Sequence, residues 1–330
     1  MTIVDIAKEA GYSVSTVSRV LNGRRDVSEE ARDRIMRIVE AYQFVPNNNA
    51  KHLKQTVSQS ILILVKGTSN MLFTNIIEVI QNTIEGSDYS LRVHYLDEDA
   101  DEVKEAVRMC REHKPMGILF LGGNIQYFHE EFELVNVPCV LVTDRADKLG
   151  FRNLASVSTD DMAAADDYLF DHGHRDIAVI GGDMALSSPS KYRKAGAKRS
   201  FIKHGCEFEE ESYAVARFSY ESAYNAMNRM LASKRSITAV FAMSDVMAVG
   251  AMRAIFDAGL RVPEDISVIG FDGTLLADYY NPKIVTVCQG YEKIARKSID
   301  LLFGMIDLNK PATHELVPFS LKNTESVSSI

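Results

Sequence analysis

Several patterns that mark enzymes are missing from this 330-residue chain. No P-loop, no G-x-G-x-x-G after an apolar run, no G-x-S-x-G and no H-E-x-x-H occurs, so the usual sequence grounds for nucleotide-dependent, serine-hydrolase or zinc-protease chemistry are absent. Cysteine is sparse. Cys110, Cys139, Cys206 and Cys288 stand far apart with no C-x-x-C pair, which fits reduced thiols and excludes a disulfide framework or a zinc ribbon; no metal and no cofactor is expected. No apolar run is long enough to span a bilayer, and Asp5, Lys8 and Glu9 lie where a secretory signal would be hydrophobic, so the expected compartment is the cytoplasm, with no membrane partner.

What is present is an ordinary soluble composition, 46% apolar and 25% charged, at a length that suits a small N-terminal unit and a two-lobed body. The formal charge of -8 argues at first against a nucleic-acid partner. Its distribution along the chain argues the other way. Residues 1–58 carry nine Lys and Arg against seven Asp and Glu, which leaves 28 against 38 for the remainder, so the head is slightly basic and the body strongly acidic. Arg19, Arg24, Arg25, Lys51 and Lys54 supply the cations a duplex would meet.

The head opens with IVDIAKEAGYSVSTVSRVL, residues 3–21, which reads as two short helices about one turn. Ile3, Ile6, Ala7 and Ala10 recur at helical spacing, Gly11 supplies a residue able to take positive φ, and Ser13 stands where an N-cap belongs. In the second helix Val17, Val20 and Leu21 are expected to face inward, and Ser15, Thr16, Ser18 and Arg19 outward. Short hydroxyl side chains with one arginine suit a helix lying in a DNA major groove, where the backbone comes close and arginine bonds guanine or phosphate. The plainer alternative is a helical hairpin at the start of an enzyme. Residues 28–42 predict a third helix, with Ser28 as cap, Glu29 and Glu30 at its positive end, and Ala31, Ile35, Ile38, Val39 and Tyr42 as the buried stripe.

Extended through NGRRDVSEEARDRIMRIVEAYQFVPNNNAKHLKQ, the chain resembles the LacI/GalR family of bacterial transcription regulators: its DIAxxAGVSxxTVSRVLN, VSxETRxRV and Y-x-PN-x-x-A-x-x-L patterns are followed in order and spacing, with Ala31, Ile35 and Phe44 at the positions written T, V and Y. Tyr12 replaces the usual valine and Lys51 the commoner arginine, without disturbing the spacing. The resemblance implies that Val14 and Ser15 read bases together with Thr16 and Arg19, and that Thr2, Ser13, Asn22, Asn47, Ala50 and Lys51 also meet DNA. It further implies that Asn47–Lys54, too short and polar to be a helix alone, becomes helical on DNA beside its twin, with Leu53 wedged into the minor groove. A mere linker contact is the alternative for Leu53.

From Gln59 onward, short apolar runs alternate with amphipathic helices. Ile61–Val65, Leu91–Leu96, Gly117–Leu121, Cys139–Val142, Ile177–Ile180, Ala239–Phe241 and Ser267–Phe271 predict parallel strands covered by helices such as the one carrying Phe73, Ile76, Ile77, Ile80 and Ile84. HGHRDIAVIGG at 172–182, Arg193 with Gly196, TAVFAMSDVMAVGAMRAI at 238–255 and LRVPEDISVIGFDG at 260–273 carry the family resemblance through the body; Gln289-Gly290 departs from the usual Q-P pair. The expected fold is therefore an all-α helix-turn-helix domain (1–45), a hinge helix and linker (46–58), and an α/β periplasmic-binding-protein-like core of two doubly wound lobes (59–330) that binds an effector and dimerises. The polar tail after Pro318 lacks the leucine heptads that make some family members tetrameric, so a homodimer on a palindromic operator is expected.

Effectors of doubly wound lobes sit at the carboxyl ends of strands, which singles out Phe73, Asp144, Arg145, Arg193, Phe218, Ser244 and Asp272. Carboxylates accept pairs of hydroxyls, arginine donates in a fork and ring faces cover C–H surfaces, so a sugar is the first expectation. Each residue also has a plain reading: the rings as core, the aspartates as helix caps, the arginines as ion-pair partners. His172 and His174 flank Gly173 and read as a turn rather than a metal pair. The function expected is a small-molecule-controlled repressor. Control by a partner protein or a nucleobase-like metabolite, and a sugar-modifying enzyme, are the alternatives.

Overall fold

The computed structural model describes residues 2–21, 27–42, 59–159, 163–233 and 235–330. The chain divides into two compact units, 1–58 and 59–330. Asn22, Asn47, Ala50, Lys51 and Leu53, and with them the whole 46–58 hinge, lie outside the described residues.

Three helices build the first unit: α1 (Ile3–Ala10), α2 (Val14–Leu21) and α3 (Glu29–Ala41). Thr2 starts α1 with a capping box: its side chain accepts the Asp5 N–H, and the Asp5 carboxylate accepts the Thr2 N–H and hydroxyl, each at 2.8 Å. These bonds favour the ionised carboxylate and hold Asp5 below the usual carboxylate range. Gly11 ends the helix at φ 74°, where a side chain would be strained, and its N–H reaches the Ala7 and Lys8 carbonyls. Ser13 Oγ accepts the Thr16 N–H at 3.2 Å at the start of α2. Ile6, Ala7, Ala10, Val17, Val20, Ile35 and Val39 close the core, with Tyr12 and Leu21 packed against it. The expected stripe of α3 needs one correction. Tyr42 is 53% exposed, because it follows the last helical turn, and its hydroxyl donates to Glu9 Oε1.

The second unit begins with β1 (Ser60–Lys66), α4 (Met71–Ile84), β2 (Ser90–Leu96), α5 (Glu102–His113), β3 (Gly117–Leu121), β4 (Cys139–Val142) and β5 (Leu154–Thr159). It continues through α6 (Ala164–Asp171), β6 (Ile177–Gly181), α7 (Ser188–Lys203), β7 (Tyr213–Val215), α8 (Tyr220–Ala232), β8 (Ala239–Ala242), α9 (Asp245–Asp257), β9 (Ser267–Asp272), α10 (Leu275–Tyr279) and β10 (Val285–Cys288). Last come α11 (Tyr291–Leu308), β11 (His314–Val317) and β12 (Ser320–Lys322). Two six-stranded sheets result, in the orders β11-β5-β4-β3-β1-β2 and β12-β10-β9-β8-β6-β7. All described pairings are parallel except β10 with β12. The chain therefore passes from the first sheet to the second after β5, returns after β10, and passes again after β11, so neither lobe is continuous in sequence.

The central strands are buried on both faces, as helix-covered parallel strands must be. β2 is different. As an edge strand it alternates toward solvent, although Leu91–Leu96 suggested a buried run. β5, with the sequence LASVST, escapes a search for apolar runs because Ser156 and Ser158 are buried polar residues; Ser156 Oγ accepts the Ala146 N–H at 3.1 Å and lies 3.0 Å from His314 Nδ1. The polar tail is equally structural. β12 pairs with β10, and Ser326, fully buried, accepts the Val285 N–H and donates to the Val268 carbonyl. Among the described residues no helix is long and apolar enough to cross a membrane.

A unit as small as residues 1–58 buries little surface, so single core truncations weigh heavily on it. Ile35→Ala is expected to cost about 2–4 kcal/mol and to expose residues 1–58 to limited proteolysis, while the calorimetric unfolding of residues 59–330 stays where it was.

Candidate functional site

Parallel strands leave their last polar groups at one edge, and here both sheets present that edge to the same space. A cavity of about 390 Å³ is lined by residues at or just beyond the carboxyl ends of β1 (Lys66, Gly67), β3 (Gly122), β4 (Thr143), β6 (Gly182), β7 (Val215, Ala216), β9 (Asp272) and β10 (Gln289). Two of these residues hold backbone that side chains seldom adopt, Thr143 at φ 70° and Asp272 at φ 108°. Among the described residues the other positive-φ non-glycine residues, Lys114 and Asn309, are helix C-caps. Strain kept at two strand ends that share one cavity is the pattern expected of a binding site.

Two rings are seated over glycines. A Cβ on Gly122 would lie 2.8 Å from the Phe73 ring, and one on Gly182 would lie 2.8 Å from the Phe218 ring. The missing side chains thus let one ring from each lobe settle against a strand end. Phe73 also belongs to the first lobe's core, so its plain reading and its functional one hold together. Arg193, in α7, is buried; its guanidinium lies 3.7 Å from the centroid of Phe271 and its Nη1 donates to the Met243 carbonyl at 3.2 Å. Asp272 Oδ1 accepts from Gln289 Nε2 at 2.7 Å, and Gln289 Oε1 accepts from the Thr159 hydroxyl at 3.4 Å. The bond chain links the carboxylate to two of the segments that pass between sheets.

Four of the seven expected effector residues, Phe73, Arg193, Phe218 and Asp272, come together in this lining, and three do not. Ser244 caps α9, its Oγ accepting the Met247 N–H at 3.1 Å, and is buried. Arg145 turns aside to Asp147 at 3.5 Å. Asp144 is buried next to Thr143: its Oδ1 accepts the Arg145 N–H at 2.7 Å and its Oδ2 has no partner among the described residues. Immediate position after a strand was the signal used for all three, but it does not fix which side chains reach the cavity, and these three are not among its lining residues. Sequence reasoning missed Lys66, Glu98, Asp183, Arg217 and Gln289. Only Gln289 had a usable sign, its place in the Gln289-Gly290 pair.

The cavity is bridged on two sides. Arg217 reaches Asp97 and Glu98, the Phe218 N–H donates to Glu98 Oε1 at 3.2 Å, and Asp97 is held below the usual carboxylate range by Arg217. On the other side Asn124 Nδ2 donates to the Ala185 carbonyl at 3.0 Å and the Ile125 N–H donates to Ser188 Oγ at 3.1 Å. Behind this seam Lys66 Nζ and Glu102 Oε2 pair at 3.0 Å, both almost wholly buried, and Glu102 also accepts the Asn124 N–H; burial pushes the Glu102 carboxyl up.

In the smaller unit Thr2, Ser13, Ser15 and Arg19 are exposed, Val14 is 41% exposed, and Thr16 and Ser18 are half-buried. An exposed valine beside hydroxyls and an arginine makes one continuous face along α2. His174, by contrast, is an internal tie: Nδ1 lies 3.0 Å from Thr238 Oγ1 and Nε2 lies 3.0 Å from the Ser328 carbonyl, while Gly173 turns at φ 96°.

Residues 2–47 match the model of the bacterial regulatory proteins of the lacI family, and residues 167–327 match a periplasmic binding protein-like domain. The HTH-type transcriptional regulator MalR of Clostridium butyricum is 34% identical, over 100% of both chains. The probable HTH-type transcriptional repressor ExuR of Bacillus subtilis (strain 168) is 33% identical, over 98% of this chain and 96% of that one. The lac repressor dimer bound to operator and the anti-inducer ONPF superposes with a TM-score of 0.83 at 25% identity, covering 100% of this chain and 99% of that one.

Burial raises the Asp144 carboxyl to about 7. An acid whose folded value lies above its unfolded one, about 4, keeps a proton that the unfolded chain has released, so its contribution is full below about pH 4 and is lost as pH rises to about 7. Asp245 shifts the same way, to about 6. Thermal melts of the full chain are expected to show less loss of stability between about pH 5 and 8 for Asp144→Asn than for wild type; parallel pH curves would refute the buried acid.

Proposed function

Because the chain belongs to the lacI family of bacterial regulatory proteins, we propose that it is a cytoplasmic repressor whose affinity for an operator is set by a small molecule, a sugar first of all, in the cavity of residues 59–330. The chain is a DNA-binding transcriptional regulator with an N-terminal helix-turn-helix and an α/β body. The single observation that carries the effector reading is the cavity itself, where two rings, a guanidinium and a buried carboxylate meet from two discontinuous lobes.

On DNA, Val14, Ser15, Thr16 and Arg19 of α2 read base edges while Thr2, Ser13, Asn22, Asn47, Ala50 and Lys51 hold the duplex and Leu53 enters the minor groove. Two copies related by two-fold symmetry require an approximately palindromic site. The lac repressor was solved with operator and a small anti-inducer together, and the same dual occupancy is carried over to this chain. Ligand acts by differential affinity: it favours one orientation of the lobes, and that orientation changes the spacing of the paired hinges and hence their folding on DNA. The segments that pass between the sheets, with Thr159, Gln289 and Val317 at their ends, are where such a reorientation is absorbed.

Selection of random duplexes by the full-length protein is expected to enrich a palindrome, and gel-shift titration with a sugar panel to change its affinity by about 5- to 150-fold for one sugar. No preference over random DNA, with sugars present and at modest salt, defeats the repressor reading. Leu53→Ala is expected to weaken operator binding while leaving ligand-induced thermal stabilisation intact; unchanged operator affinity defeats the hinge wedge.

A further inference from the structure

The charge of the cavity wall narrows the ligand class, on the premise that the cavity is the effector site. Among the described residues Glu98, Asp99, Asp183 and Asp272 bring four carboxylates to the lining, and Lys66, Arg193 and Arg217 bring three cations. Two of those cations are already committed. Lys66 is paired with the buried Glu102, and Arg217 bridges Asp97 and Glu98. Arg193 remains, stacked on Phe271 and sharing the lining with Asp272.

The helix N-termini at the lining, the other common holders of anions, each have an N–H already taken by a cap. Asn70 Oδ1 accepts the Leu72 N–H at 3.0 Å at the start of α4, Ser187 Oγ accepts the Ser190 N–H at 3.3 Å at the start of α7, and Ser219 Oγ accepts the Ser222 N–H at 3.3 Å at the start of α8. Pro189, in the first turn of α7, has no N–H to offer. An entering anion would also pass Asp99 and Asp183, both exposed and both on the lining.

We infer that the site takes an uncharged polyhydroxylated ligand and discriminates against carboxylated and phosphorylated analogues of it. Neutral hydroxyls satisfy this wall in both directions, donating to Asp272 and Asp183 and accepting from Arg193, and they bring no charge into a lining that, among the described residues, holds four carboxylates against three cations, two of those cations already in ion pairs. A phosphate or a uronate could be matched by Arg193 alone, and it would set a like charge beside Asp272 with little water between them to screen the repulsion.

The full-length protein is titrated with matched neutral, uronic-acid and 6-phosphate members of the gluco, galacto and manno series and with the neutral disaccharides maltose and cellobiose. The readout is the shift of the thermal unfolding midpoint. In any series that binds, the neutral sugar is expected to bind at least about tenfold more tightly than its anionic members, with neutral disaccharides alone binding counting equally for the inference. Asp99→Asn with Asp183→Asn is expected to narrow the gap, as is raised salt. An anionic member that binds as tightly as its neutral parent overturns the charge rule and leaves the cavity as the effector site. A gap unchanged in the double variant overturns the part assigned to Asp99 and Asp183. No shift with any compound overturns the sugar-effector reading on which the inference rests.

Discussion

Parallel strands cannot satisfy the polar groups at their carboxyl ends within the sheet, and in residues 59–330 two such ends face one cavity. Everything placed there answers that constraint. Gln289 donates to Asp272, the Arg193 guanidinium lies on the Phe271 ring, and Glu102 is paired with Lys66 and accepts the Asn124 N–H. These buried groups are each held by a neighbour, which is what allows a cavity of this size to stay polar in part and still be bounded by packed cores. Thr143 and Asp272 show the cost, since their backbones stand in a conformation that only the surrounding strands can hold.

The two lobes share a construction that their sequences do not advertise. Each places a phenylalanine, Phe73 or Phe218, against a glycine at a strand end, Gly122 or Gly182, and each contributes one side of the bridging contacts. Because the chain passes between the sheets three times, a change in the angle between lobes must be absorbed in several short segments at once. That arrangement favours discrete positions over gradual bending, the property a ligand-operated switch needs. Asp144 and Glu102 lie close to one of the seams, and burial raises both carboxyls there.

The head was largely legible because its information is local. Gly11, Ser13 and Ser28 are turn and cap residues whose roles follow from their own geometry, and the apolar spacing in three short helices fixes which faces meet. Tyr42 misled because helical periodicity continues on paper beyond the last turn. In the body, runs such as Ile61–Val65 and Cys139–Val142 announced buried strands, whereas β5 and the tail after β12 were hidden: their buried serines are satisfied by partners outside their own segments, Ser156 of β5 by Ala146 and His314, and Ser326 beyond β12 by Val268 and Val285.

Amino-acid order alone determined the class of the chain, the alternation of strands and helices, the exposed face of α2 and the four cavity residues Phe73, Arg193, Phe218 and Asp272, since each of these depends on spacing within a few residues or on motifs that survive as written. Only the tertiary structure decided that Asp144, Arg145 and Ser244 lie outside the lining, that Lys66, Glu98, Asp183, Arg217 and Gln289 belong to it, and which charges are already paired. Direction at a strand end and pairing across two lobes are settled by contacts between residues 120 or more positions apart, as for Arg217 with Asp97 and Gln289 with Thr159, and no local pattern encodes them.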